Sequence, residues 1–164
     1  MTQLLTQQYL QSLFDYKNGK LFWKVPKAKR IKIGQEAGSS KEKGYFVVGI
    51  NGFNYGIHRI IFTMNHGYMP EFIDHIDGNP SNNKIENLRE ATHSQNQCNK
   101  SKQSNNTSGI KGVSWVTKRS KWVVRVQLNK NSHQLGYFKD LELAELVAIE
   151  GQNKYHGKYA RNTQ

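Results

Sequence analysis

Cysteine, acidic residues and long apolar runs are what this 164-residue chain is short of. The single cysteine, Cys98, excludes an internal disulfide and any four-cysteine zinc site, and it fits a reducing compartment. No run approaches the roughly eighteen apolar residues of a membrane span, so no membrane association is expected. The first residues lack the basic-then-apolar layout of a secretion signal, which makes a cytoplasmic, non-secreted protein the expectation. Acids number 12 against 24 Lys plus Arg, for a net charge of +12 and a pI near 9.8.

What is present bounds the fold. A chain of this length suits one medium domain or two small ones with modest cores. Apolar residues make up 36% and the mean hydropathy is -0.77, yet 7 Phe, 8 Tyr and 3 Trp suffice to anchor small cores. The basic excess is uneven. Residues 1–70 hold 10 bases and 3 acids, residues 107–164 hold 10 and 4, and the middle, 71–106, holds 4 and 5. Basic flanks suit a polyanion, whose condensed counterions are released on binding. The acidic centre needs a separate reason, and a metal site would be one.

Leu4, Leu5, Tyr9, Leu10, Leu13 and Phe14 form a helical stripe. "NGKLFWKV" reads as a turn into a strand, and Lys24 to Lys43 as a basic, irregular stretch. In "YFVVGINGFNYGI", Asn51-Gly52 between apolar runs marks a hairpin. Ile57, Ile60, Ile61 and Met64 then fall at helical spacing, with Gly67 as the stop. His58 at the head of this helix is placed to touch the site, with a structural role preferred over that, and His66 is given a place on the surface.

The segment "FIDHIDGNPSNNKIENLREATHSQNQCNK" crowds Asp74, His75 and Asp77 against a run of asparagines. "FIDHI" reads as a strand, "DGNPSNN" as a loop, "ENLREA" as a second strand, and Thr92-x-x-Gln95 as the capping box of a helix starting at His93. A calcium loop of the EF-hand type fails, because counting from Asp74 the third position is Ile76 and the sixth is Asn79, not glycine. A zinc site fails for want of cysteines or suitably spaced histidines. Imidazole, with its ordinary pKa of about 6.5, suits deprotonation of water, and a hard divalent cation suits carboxylate and amide oxygens. His93 and Asn96 lie three apart on one helical face, and both remain candidates for a ligand position.

Strand, loop, strand and capped helix in this order resemble the ββα-metal unit of HNH nucleases, a group found in phage and intron-associated endonucleases. The resemblance runs from about His58 through Lys102, on "DHIDGN", "NN", "ENLR", Thr92 and Asn96, with asparagine in the last lettered position. It implies His75 as general base and Asn87 as a brace that ties the loop and sets the histidine's direction. Asp74 and Asn96 are then the ligands of a divalent ion, Mg²⁺ first and Mn²⁺ second. An ideal strand would point Asp74 and His75 to opposite faces, so the resemblance also requires a bend near Gly78 and Pro80.

After the polar tract "NKSKQSNNTSG" come three strand candidates, "GIKGVSWV", "KWVVRVQL" and "HQLGYF", then a helix with Leu141, Ala144, Val147 and Ala148 on one face. Trp122, Val124, Val126 and Leu128 share one side of the middle strand, and Lys121, Val123, Arg125 and Gln127 share the other. Residues 107–161 resemble the ethylene-response-factor type of DNA-binding domain. That resemblance implies a three-stranded sheet in the major groove, with contacts at Lys111, Ser114, Lys121, Arg125, Gln127, Ser132, Gln134 and Tyr137. Several arginines and a tryptophan of the plant domains are replaced here by Ser114, Gln127, Ser132 and Gln134, so the plant target sequence does not carry over. Lys24, Lys27, Lys29, Arg30 and Lys32 are expected on the DNA backbone.

The expected architecture is α+β. A small β-rich part covers 1–56, an HNH unit 57–102, a linker 103–108, and a three-stranded antiparallel sheet packed on one helix 109–164. The expected function is that of a metal-dependent, homing-type endonuclease of double-stranded DNA, a monomer that nicks one strand, at work in a host cytoplasm if phage-encoded. The alternatives are a non-catalytic DNA-binding regulator on a decayed HNH scaffold, and an RNA-directed nuclease.

Overall fold

Thr6 opens the first helix, α1 (Gln7–Leu13), by accepting a hydrogen bond from the Tyr9 N–H. The helix stops early. Phe14, at the end of the helical stripe in the sequence, is instead the first residue of β1 (Phe14–Lys17) and is fully buried. β1 turns back into β2 (Lys20–Trp23) through Asn18 and Gly19, both at positive φ (47° and 82°), the two-residue turn that matches strand twist. A computed structural model describes residues 5–25 and 30–161, apart from the Glu42 side chain; the expectations at Leu4, Lys27 and Lys29 lie outside the described residues. The chain divides into two compact units, Met1–Glu90 and Ala91–Gln164.

In the first unit, the stretch expected to be irregular holds two short strands, β3 (Glu36–Ala37) and β4 (Ser39–Ser40). β3 completes a sheet of order β1-β2-β3, and β4 pairs with β5 (Phe46–Ile50). The Asn51-Gly52 hairpin joins β5 to β6 (Phe53–Gly56) as expected, in the register Ile50↔Phe53 to Val47↔Gly56. α2 (Ile57–His66) follows at once and ends at Gly67 in the left-handed conformation. Its inner face, Ile57, Ile60, Ile61 and Met64, packs with Leu10, Phe14, Leu21, Trp23, Val48, Ile50, Ile73 and Leu88 into the core of this unit. Ile60 and Ile61 are fully buried, so truncating either to alanine costs about 2–5 kcal/mol. β7 (Phe72–His75) and β8 (Leu88–Ala91) form a two-stranded sheet, with one 3₁₀ turn, Ile85–Asn87, leading into β8.

The second unit begins with the capping box expected from the sequence. Thr92 accepts from the Gln95 N–H, and Gln95 Oε1 accepts from the Thr92 N–H, starting α3 (His93–Cys98). The polar tract after it is tied down by side chains. Asn106 donates to the Ile110 carbonyl, and Ser108 donates to that of Val113. β9 (Val113–Val116), β10 (Lys121–Leu128) and β11 (Asn131–Phe138) form an antiparallel sheet of order β11-β10-β9, backed by α4 (Leu141–His156), whose first turn is capped by Asp140. Val113, Val124, Ala144 and Ala148 make its small core, with Leu135, Phe138 and Val147 alongside. Pairing slips by one residue between Val124↔Gly136 and Arg125↔Gln134, a bulge at Leu135 of β11. No helix among the described residues is long and apolar enough to cross a membrane.

Candidate active site

The last three residues of β7, Ile73, Asp74 and His75, are all buried, which is uncommon for a charged and a titratable side chain side by side. Strand alternation sends the two in opposite directions, and each meets a different partner. Asp74 Oδ2 accepts from Arg89 on β8, at 2.8 Å from Nε and 2.7 Å from the terminal nitrogen. His75 Nε2 lies 2.9 Å from Asn83 Oδ1, itself a buried side chain. An amide oxygen only accepts, so Nε2 carries a proton, and in the neutral ring the lone pair is then at Nδ1. This is the tautomer a general base at Nδ1 needs.

The loop that presents Asn83 is built on Asp77. Its carboxylate accepts from the Asn79 N–H (2.8 Å), Asn82 Nδ2 (2.7 Å) and Asn87 Nδ2 (2.9 Å). Asn87 also accepts from the Asp77 N–H and donates to the Asn82 carbonyl. Asn87 is thus a brace of the loop, while the side chain hydrogen-bonded to the imidazole is Asn83. Burial acts to raise the Asp77 carboxyl, but the Asn79, Asn82 and Asn87 bonds, with the charge of His75, bring it below the ordinary carboxylate value. The crowd of asparagines is a scaffold for the histidine.

Two further rings close around His75. Arg59 donates to the carbonyls of Pro70 (2.8 Å) and Glu71 (3.1 Å), fastening α2 to the segment that enters β7. This brings His58, on the first turn of α2, to 5.3 Å from His75 between ring centroids. Ser81 donates to the Gly44 carbonyl at 2.8 Å, which ties the loop to the neighbour of Tyr45. The Tyr45 ring lies 5.7 Å from His58 and 6.1 Å from His75. Burial, then the charges of His75 and Arg59, push the His58 imidazole down to about 4, so it stays neutral at physiological pH. The structural role expected of His58 understates its place. It stands beside the candidate base.

The sequence did not single out Asn83, Arg89 or Arg119. Only the Asn82-Asn83 doublet hinted at the first, since nothing in the spacing tells a loop amide from a buried one. Asn96 lies on α3 in the second unit and is half-buried; His93, its rival, is exposed and lies 3.4 Å from Gln97 Nε2. Among the described residues no three of His, Cys, Asp and Glu gather as a ready metal cage.

In the second unit the register decides which polar residues share a face, because directly paired residues of antiparallel strands do. Val123 pairs with Ser114 and Tyr137, Arg125 with Gln134, and Gln127 with Ser132. Gln134 and Tyr137 are three apart and would fall on opposite faces of a regular strand. The bulge at Leu135 puts them on one. Ser114, Arg125, Gln127, Ser132 and Gln134 are exposed there, with Lys121 and Tyr137 half-buried. Arg119 adds its guanidinium 4.4 Å above the Tyr137 ring. Val123, read as part of this polar face, is fully buried between its cross-strand neighbours. Lys111 is half-buried and donates to the Cys98 carbonyl, so its ammonium is engaged within the unit. Arg30 is exposed.

A family model described as HNH endonuclease matches residues 55–98, from β6 to the last residue of α3. Protein 3.8 of Escherichia phage T7 is 36% identical over 108 residues, covering 63% of this chain and 87% of that protein. No solved structure matches the chain at a significant level. The matched span holds His58, Asp74, His75, Asn83 and Asn87 together, and the chain belongs to the HNH endonuclease family.

Proposed function

We propose that the chain is a metal-dependent endonuclease that hydrolyses phosphodiester bonds of double-stranded DNA. It acts as a homing-type monomer that nicks one strand, through a nuclease unit of residues 57–102 and a DNA-binding sheet of residues 109–164. The single observation that carries this reading is the His75–Asn83 bond, which orients the buried imidazole through its Nε2. In the reaction a water attacks the phosphorus, His75 Nδ1 takes its proton, and the bond from phosphorus to the leaving oxygen breaks. Asn83 holds the tautomer and Asn87 holds the loop that carries Asn83.

The ligand roles of Asp74 and Asn96 are carried over from the family pattern. The donor chemistry fits a hard cation: Mg²⁺ is usually held by one or two carboxylates, with water and substrate phosphate completing its shell. Asp74 offers a buried carboxylate whose charge is balanced by Arg89, a cation that a bound metal would partly replace. When bound, such an ion supplies positive charge to the phosphate and the leaving oxygen.

Ser114, Lys121, Arg125, Gln127, Gln134 and Tyr137 are proposed to meet duplex DNA, with Arg30 and Lys29 on its backbone. Arg and Gln read guanine and adenine edges, while Lys grips phosphate. The Arg89 hold on Asp74 is the observation that favours the second reading, a regulator that binds DNA without cutting it. Supercoiled plasmid with Mg²⁺ separates the two. Wild type is expected to convert it to the open circle, and His75→Ala to lose about 10²–10⁴-fold in rate while still shifting the plasmid on a gel. If both proteins shift the plasmid and leave it intact, the regulator reading replaces the nuclease. Cleavage of structured RNA but not of duplex would redirect the substrate class.

A further inference from the structure

His58 does not sit as an ordinary helix residue. Its ring folds back over Gly56, the residue that caps α2, so that a Cβ on Gly56 would lie 2.5 Å from His58 Cε1 and 2.9 Å from Nδ1. The backbone of Gly56, at φ -63° and ψ 132°, is one any residue adopts. Glycine is needed there for the space, not for the conformation. Among the described residues the His58 side chain makes no hydrogen bond, and neither ring nitrogen is a buried unpaired atom. An N–H of this ring is therefore available to something outside the chain, 5.3 Å between centroids from the candidate base.

Resting on the nuclease reading, we propose that His58 is a second catalytic residue: a neutral imidazole that donates a hydrogen bond to a non-bridging oxygen of the phosphate attacked by the water of His75. Burial holds His58 neutral, so 5.3 Å between centroids from His75 it offers an N–H without a charge of its own. The positive end of α2 beneath the ring acts in the same direction. A neutral N–H stabilises the charge that builds on the oxygen during attack without competing for the water's proton. Tyr45 lies against both rings and walls the side of the site they share.

The test is single-turnover cleavage of supercoiled plasmid with Mg²⁺ across a pH series, with DNA affinity measured by gel shift. His58→Phe keeps a ring in the place and removes the N–H. Gly56→Ala keeps the N–H and displaces the ring. The first is expected to lose ~10²–10³-fold in rate and the second at least about tenfold, with the acid limb of the pH profile and the affinity for DNA unchanged. A His58→Phe rate within about threefold of wild type overturns the proposal. So does a loss that comes with a displaced acid limb, since His58 would then act through His75. Wild type that fails to cut removes the nuclease reading and this donor with it; wild type that cuts as fast as both variants removes the donor alone.

Discussion

Asn83 Oδ1 and His75 Nε2 stand 2.9 Å apart, with both side chains buried, and this pair assigns the ring's proton before any substrate arrives. Removing the acceptor takes away the bond that orients the ring through Nε2. Asn83→Leu is expected to slow plasmid cleavage by about 10–100-fold. Asn83→Asp keeps the acceptor and adds a charge that stabilises the imidazolium, so it is expected to retain activity with the acid limb moved to higher pH. A pH–rate series on the two variants checks both. An acid limb that stays in place in Asn83→Asp would separate Asn83 from the titrating group.

Asp74 and Arg89 form a buried pair, with side chains 4% and 16% exposed. Breaking such a pair from one side leaves an uncompensated charge in low dielectric, and Arg89→Ala is expected to cost about 3–5 kcal/mol in urea unfolding. Adding Asp74→Asn to that background is expected to recover part of the loss, since no charge is then stranded. With Asp74 as a metal ligand, Mg²⁺ should raise the midpoint of Arg89→Ala more than that of wild type. An equal shift in both would argue against an ion at this carboxylate.

His58 makes stability depend on pH. Its folded-state pKa, about 4, lies below the ordinary 6.5, so between these values the unfolded chain binds a proton that the folded chain does not. The contribution is complete above 6.5 and is lost as pH falls toward 4. Asp77, also lowered, adds a loss in a more acid window, below the ordinary carboxylate value of 3.8. Urea midpoints are expected to fall between about pH 7 and pH 5 in wild type, and to fall less in His58→Gln. A slope unchanged by that substitution would place the titrating group elsewhere.

The sheet of the second unit carries a prediction about sequence preference. Arg125→Ala is expected to relax base preference, at about 1–3 kcal/mol for its preferred site over others. Lys121→Ala should weaken binding evenly and reduce the slope of log affinity against log salt by about one. Equal losses on every sequence for both variants would mean that the sheet does not read bases.

The sequence by itself determined what depends on neighbours along the chain. The Asn51-Gly52 turn, the Ile57 to Met64 stripe with its glycine stop and the Thr92 capping box are local preferences, and each stands in the structure as expected. The order of Asp74, His75 and Asn87 was enough to suggest the family, because loop braces and strand ends recur at fixed spacing.

Tertiary structure decided what depends on residues far apart in sequence. Phe14 left the helical stripe because β1 pairs with β2. His58 came to His75 because Arg59 fastens its helix to the carbonyls before β7, a contact that no periodicity announces. Asn83 took the imidazole while Asn87 took the loop, a division of labour between like side chains that burial alone sets. One inserted residue at Leu135 put Gln134 and Tyr137 on a shared face, against the alternation that strict pleating would impose. Local sequence chooses the turn, the helix and the strand; which side chains meet follows from how those pieces pack.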